Sequence, residues 1–175
     1  MDLAAAIASD DLPALLRERP ELASARDAQG VSALLLAVYH RRPDARDALL
    51  AAGAPVGPLE AAALGDVTAL GTAELDVRGG DGFTPLHLAA FFGGGAAVRA
   101  LLARGCDPDG DADNALGVHP LHSAAAAGDR DAVQALLEAG ADPNVRQPSG
   151  HTPLDAAVRL GDAELEALLR RYGAK

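Results

Sequence analysis

The sequence predicts an all-α solenoid of short helix-turn-helix pairs stacked one on the next. Three observations carry that expectation. Blocks of similar sequence recur in phase, so that Pro85, Pro120 and Pro153 follow one another after 35 and then 33 residues. Each block leads to a second match: Val98, Leu101 and Leu102 run into Gly105-Cys106-Asp107-Pro108, and Val133, Leu136 and Leu137 run into Gly140-Ala141-Asp142-Pro143. Their apolar residues sit at i, i+3 and i+4, the spacing of one helical face. The chain is also 49% apolar with only three Phe, two Tyr and no Trp. Small helices packed closely through alanine suit that composition better than one large aromatic core.

Taken in order, the elements form six helical pairs, at about 2–26, 27–57, 58–78, 79–113, 114–146 and 147–175, in one domain. The first runs from Asp2 to Arg26 with Leu15 and Leu16 on its second helix, and the second carries Leu49, Leu50 and Gly53. The third, recognised by Ala61-Ala62-Ala63-Leu64-Gly65-Asp66, is short: Ala37 and Ala61 hold equivalent places only 24 residues apart. Its second helix, near Val67 to Leu70, is interrupted by Gly71. In the last three pairs Thr84 and Thr152 are placed to cap the first helix, and the three prolines occupy its first position, where a missing N–H costs nothing. Gly93, Gly128 and Gly161 are expected to close that helix in a left-handed conformation. Helices this short do not survive alone, so stacking must hold them. The polar outer residues of the first pair (Asp10, Asp11, Arg17, Glu18, Arg19, Glu21) and of the last (Asp162, Glu164, Glu166, Arg170, Arg171) read as caps of a complete array.

Thr84-Pro85-Leu86-His87-Leu88-Ala89 resembles in full the T-P-L-H-x-A signature of the ankyrin-repeat family, whose period is near 33. Other copies decay: His119 replaces Thr, Asp155 replaces His, and Ser32 to Ala37 keeps little beyond Leu34 and Ala37. The resemblance extends over essentially the whole chain. It implies hairpin or loop fingers between helical pairs, one of them missing across Ala54-Pro55-Val56-Gly57-Pro58. It also implies that a protein partner is gripped by a concave surface of fingertips and first-helix residues. Carried over by position, the fourth pair offers Arg78, Gly80, Asp81 and Phe83 on its finger and Phe91 and Phe92 on its helix. Leu116 and Val118 follow on the next finger, then Arg146, Gln147, Ser149 and His151, with Arg159 on the last first-helix. Tyr39 and His40 hold the corresponding helix place near the start. Phe91 and Phe92 have two readings, a binding hot spot or a filling of the gap left by the missing finger.

The formal charge is -10 and the only Lys is Lys175. Nucleic-acid binding needs clustered positive charge, so the expected partner is a protein with a basic or neutral surface, and neither DNA, RNA nor an anionic membrane. The longest apolar run, about Ala33 to Val38, is far below a membrane span, and Met1-Asp2-Leu3 has no secretory pattern. A cytoplasmic monomer is the resulting expectation, and the alanine and arginine bias suggests a GC-rich bacterial genome. Cys106 stands where the next repeat has Ala141 and reads as a small buried residue. No nucleophile elbow, Cys-His pairing or phosphate loop is present, so no enzyme and no cofactor is expected. The alternative is a metal- or ligand-binding sensor. It would use the acidic run Asp107-Pro108-Asp109-Gly110-Asp111-Ala112-Asp113-Asn114 on a finger two residues longer than the period requires, together with His119, His122 and His151. The run lacks the Gly and Glu of a calcium loop, and no fixed four-ligand zinc set completes the histidines.

Overall fold

The structure, a computed structural model, describes residues 3–175. Met1 and Asp2, where the readings of a leader and of the first pair begin, lie outside them. The helices follow in antiparallel pairs: α1 (Leu3–Ala8) with α2 (Leu12–Glu18), α3 (Ala33–Tyr39) with α4 (Pro43–Ala51), and α5 (Pro58–Leu64) with the single turn α6 (Val67–Leu70). Next come α7 (Pro85–Leu88), prolonged by a π turn Ala89–Gly93, with α8 (Gly95–Ala103), then α9 (Pro120–Ala127) with α10 (Arg130–Glu138), and α11 (Pro153–Leu160) with α12 (Ala163–Arg171). A 3₁₀ turn, Pro20–Ser24, follows α2. Leu49, Leu101, Leu136 and Leu169 form a fully buried row in the second helices. Ala37, Ala62, Ala89, Ala124 and Ala157 are equally buried in the first helices and let their backbones approach.

The helix starts repay the sequence logic with one change. Thr152 Oγ1 accepts the Asp155 N–H at 3.3 Å, and the second helices α10 and α12 are capped by Asp129 and Asp162. Thr84 instead turns its hydroxyl onto His87 Nδ1 at 2.7 Å. With Nδ1 accepting, the proton of the neutral ring lies on Nε2, which donates to the Val118 carbonyl of the next repeat at 2.8 Å. His122 does the same one step on: Nδ1 accepts the His119 N–H and Nε2 reaches the His151 carbonyl at 3.1 Å. In α5 the third residue is the buried Glu60, which accepts from Gly57 N–H at 3.0 Å and from the Ser32 hydroxyl at 2.7 Å. One side chain at the third helical position therefore stitches each of these pairs to a neighbour. Bidentate Arg99–Asp131 and Arg130–Asp162 pairs add links between the second helices, with Glu164 also on Arg130.

Each finger carries a backbone hydrogen bond across its turn: Asp27 N–H to the Val31 carbonyl, Gly79 to Phe83, Ala112 to Val118 and Gln147 to His151. The fingers are hairpin-shaped turns, and the one isolated β-bridge among the described residues joins Arg26 to Ser32. The longer finger is the one closed from Ala112 to Val118. Its two extra residues lie in that turn, beyond most of the acidic run. Asp107 to Asp111 matches the length of Asp142 to Arg146 and does the same work. Asp107 accepts the Asp109 N–H just as Asp142 accepts that of Asn144, and Asp109 reaches the Asp142 N–H in the next repeat. Asn144 likewise holds the Gly173 carbonyl.

The third pair has no finger, and residues 54–57 pass straight from α4 into α5. The fingers of the second and fourth pairs consequently touch each other. At Gly80 a Cβ would lie 1.5 Å from the Gln29 carbonyl oxygen, so only glycine fits. The same seam alters the helix end above it. Gly128 and Gly161 close their helices at positive φ, whereas Gly93 stays in the π turn and Gly94 takes the positive φ of 82°. Gly93 packs backbone to backbone on α5, where a Cβ would meet the Ala62 oxygen at 2.1 Å. That contact holds the chain one residue further in the helix before it can turn.

Candidate functional site

The aromatic residues gather at this seam. Tyr39, at the end of α3, stacks on Phe92 with ring centroids 5.5 Å apart and planes inclined by 17°. Its hydroxyl donates to Asp81 Oδ2 at 2.7 Å, spanning from the second pair to the finger of the fourth. Burial, reinforced by the Asp81 carboxylate, raises the Tyr39 pKa far above that of a free phenol, so the donor stays protonated. Phe91 meets Phe92 at 4.6 Å in a tilted arrangement, and Phe83 tilts against His87 at 5.8 Å. Tyr39, Phe83 and Phe92 pack against the core, while Phe91 is half-buried and does not join that packing.

Tyr39, Phe83, His87, Leu88, Phe91, Phe92 and Ser123 enclose an apolar cleft of about 210 Å³. Four of these came from the sequence as contact positions. His87, Leu88 and Ser123 did not, because each is a buried packing position of its helix. Phe83 sits at the base of its finger, where its carbonyl accepts from Gly79, and the tip itself is Gly80 and Asp81. Phe92 is stacked on Tyr39, and its neighbour Phe91 lines the same cleft. Both rings line the cleft, and of the two Phe92 alone packs against the core.

The remaining contact positions are dispersed. Arg78 donates to the Gly82 and Asp111 carbonyls, and Arg146 donates to the Gly150 carbonyl as Arg26 does to that of Gly30. An arginine repeated at one place in three fingers holds the turn. Val118 is half-buried and gives its carbonyl to His87, and Gln147 is tied to His151 through the backbone. Leu116 is 62% exposed at the tip of the longer finger. His40, Ser149, His151 and Arg159 are exposed, and Arg159 lies between the exposed Val158 and Leu160.

A second cleft, of about 260 Å³, adjoins the first across Phe92, which lines both. Arg41, Arg42 and Arg46 line it, over a floor that includes Ala37, Ala63 and Leu64. Sequence reasoning passed over it, although the Arg41-Arg42 dipeptide with Arg46 one turn later was the signal.

His119 and His122 stand 5.6 Å apart by ring centroid; His119 Nδ1 is 2.8 Å from the Asp109 carbonyl, and both nitrogens of His122 hold backbone groups. His151 Nδ1 lies 2.9 Å from Ser149 Oγ. Among the described residues no group of three His, Cys, Asp or Glu side chains is placed to hold a metal ion. Burial pushes the Cys106 thiol up, away from the reactive thiolate. No helix of the described residues is long and apolar enough to cross a membrane.

A family model described as ankyrin repeats, in three copies, matches residues 59–147 and 110–175. No curated protein matches the chain. The first two helical pairs lie outside the matched residues, in keeping with the decay of the signature in Ser32 to Ala37.

Proposed function

Because the chain belongs to the ankyrin-repeat family, whose members generally bind other proteins, we propose that it is an interaction module, an adaptor or a regulatory or inhibitory subunit, gripping a protein through its concave face. The observation that carries this reading is the aromatic cleft around Phe91, open at the surface and walled by side chains that the core already holds. An apolar anchor from a partner would bury itself there against rings that need no reordering, which is how a few residues come to dominate an interface. Phe91 is the principal contact, with Phe83, Tyr39 and Phe92 as its walls. Leu116, His151 and Arg159 extend the surface along the groove, and His40 extends it past Tyr39.

The same reading makes the protein a non-enzymatic cytosolic monomer that binds protein in preference to nucleic acid or membrane. Its support is the charge of -10, which repels polyanions, and the engagement of both ring nitrogens of His87 and His122 in structural bonds. The test is co-purification from the native cell of the tagged parent beside Phe91→Arg, with companions identified by mass spectrometry. Phe91→Arg is chosen because Phe91 stands apart from the core packing. A stoichiometric companion present with the parent and lost from the variant is expected. A companion retained equally by both would remove the cleft from the binding surface.

A further inference from the structure

Three arginines, Arg41, Arg42 and Arg46, line the cleft beside Phe92 in an otherwise acidic molecule. Of the three guanidinium groups, Arg42 bonds the Ala8 carbonyl and Asp10, and Arg46 bonds Asp47. Asp10 and Asp47 are themselves largely exposed, so these pairs are screened and exchangeable. Arg41 has no ion pair or side-chain hydrogen bond among the described residues. It is also the one non-glycine residue there with positive φ, at 52°. At the equivalent helix ends glycine stands, as Gly65, Gly128 and Gly161 with φ of 70°, 72° and 69°. A side chain in the left-handed region is strained, and glycine would relieve the strain at no loss of any contact seen. Strain retained with no internal benefit points to an external one.

We propose that Arg41, with Arg42 and Arg46, receives a carboxylate from the partner, so that the recognised segment carries an Asp or Glu close to the apolar side chain that enters the aromatic cleft. The inference rests on the reading of the groove as a protein-binding surface and names the chemistry of its occupant. Phe92 is the shared wall of the two clefts, which puts the anionic and apolar ends of such a segment side by side. The overall negative charge supplies selectivity, since an acidic side chain is repelled from most of the surface and attracted at this cleft. Planar, always-charged guanidinium groups suit a carboxylate better than a lysine would. Orientation of the segment follows, with its acidic end toward the second helical pair.

A displayed library of random peptides tests this without knowledge of the natural partner. Selections would be run on the parent, on Arg41→Gly, on Arg41→Glu with Arg46→Glu, and on Phe91→Arg. Arg41→Gly removes the charge while relieving the strained backbone, so its melting temperature is expected at or above the parent's and loss of binding cannot be blamed on unfolding. The parent is expected to enrich peptides with Asp or Glu within a few positions of an aromatic or aliphatic residue. Both arginine variants are expected to lose the acidic preference and keep the apolar one, and a selected peptide to bind Arg41→Gly about three- to tenfold more weakly. Apolar enrichment without acidic preference, or an acidic preference unchanged in the arginine variants, would overturn the inference and leave the groove reading standing. Failure of the parent to enrich any peptide, or enrichment that survives Phe91→Arg, would overturn the groove reading and this inference with it.

Discussion

Acidification between pH 7 and pH 5 is expected to destabilise the fold through His87. Burial pushes this imidazole down to about 4 from its ordinary 6.5, against the opposing pull of its bond to Val118. The ring is 1% exposed, its Nδ1 accepts from Thr84 and its Nε2–H is given to the next repeat, so the folded state has no place for a second proton. The unfolded chain binds that proton at about pH 6.5, and stability therefore falls as pH drops from about 6.5 to about 4 and no further on this group's account. The full effect is about 3 kcal/mol, of which about 2 kcal/mol is lost between pH 7 and pH 5, at 1.36 kcal/mol per pH unit. His122, also lowered by burial, adds a loss of the same sign. The carboxylates whose pKa is lowered, such as Asp131 and Asp162, act below about pH 4 and leave this window to the histidines. Relief of repulsion among the excess carboxylates works in the opposite direction, so the informative quantity is a difference. Urea unfolding followed by circular dichroism at pH 7, 6 and 5 would be compared for the parent and His87→Gln, whose amide can still donate to Val118. The parent should lose about 2 kcal/mol more than the variant over that range. Parallel pH profiles for the two proteins would refute the assignment of His87 as a neutral inter-repeat link.

Other substitutions separate the parts of the seam. Gly80→Ala places a methyl group against the Gln29 carbonyl, and because backbone must move to admit it, a loss of at least about 2 kcal/mol in urea unfolding is expected. Phe92→Ala removes the ring that Tyr39 stacks on and should cost about 1 to 3 kcal/mol, whereas Phe91→Ala should stay within about 1 kcal/mol of the parent. Comparable melting temperatures for the two would contradict the division of labour between them. Glu60→Ala strands the Gly57 N–H and the Ser32 hydroxyl and should cost about 1 to 3 kcal/mol, with a chemical denaturation curve as the check.

The periodic part of the fold was legible in the sequence because each cause is local. A proline at the first helical position, apolar residues one turn apart and a glycine beyond the last turn act within a few residues of one another, and their recurrence fixes the phase. The missing finger was legible from the short spacing of Ala37 and Ala61, but the contacts made across its place were not. Tyr39 and Asp81 are separated by 42 positions, and they meet because nothing from the third pair stands between two fingers. The clue lay in clustered glycines, Gly79-Gly80 and Gly93-Gly94-Gly95, which signal close backbone approach but do not say to what. The longer finger shows a different limit. Counting residues between prolines establishes that two are extra, but only the hydrogen bond from Ala112 to Val118 says where they are. Arg78 and Arg146 show another: with Arg26 they form a position that recurs in three of the four fingers and bonds its own turn, a structural role that reading them singly as contact positions did not bring out.

That distinction also bears on where recognition resides. In a regular solenoid the backbone of each interface between neighbours copies the last, and partners are told apart by the side chains that vary along the concave surface. A break in the period adds a second source of individuality. Here the break is the missing finger, and its consequences are concentrated rather than spread. Two fingers are drawn into contact at Gly80, a π turn re-aims Phe91 and Phe92, and Tyr39 is free to cross to Asp81. The apolar cleft and the arginine cleft both open along that line and share Phe92. Restoring a finger of ordinary length before Pro58 should therefore separate the second and fourth fingers, break the Tyr39–Asp81 bond and erase the aromatic cleft while leaving a folded array. A partner that still bound such a variant with the parent's affinity would have to be recognised by the periodic surface, and the seam would then be a matter of packing alone.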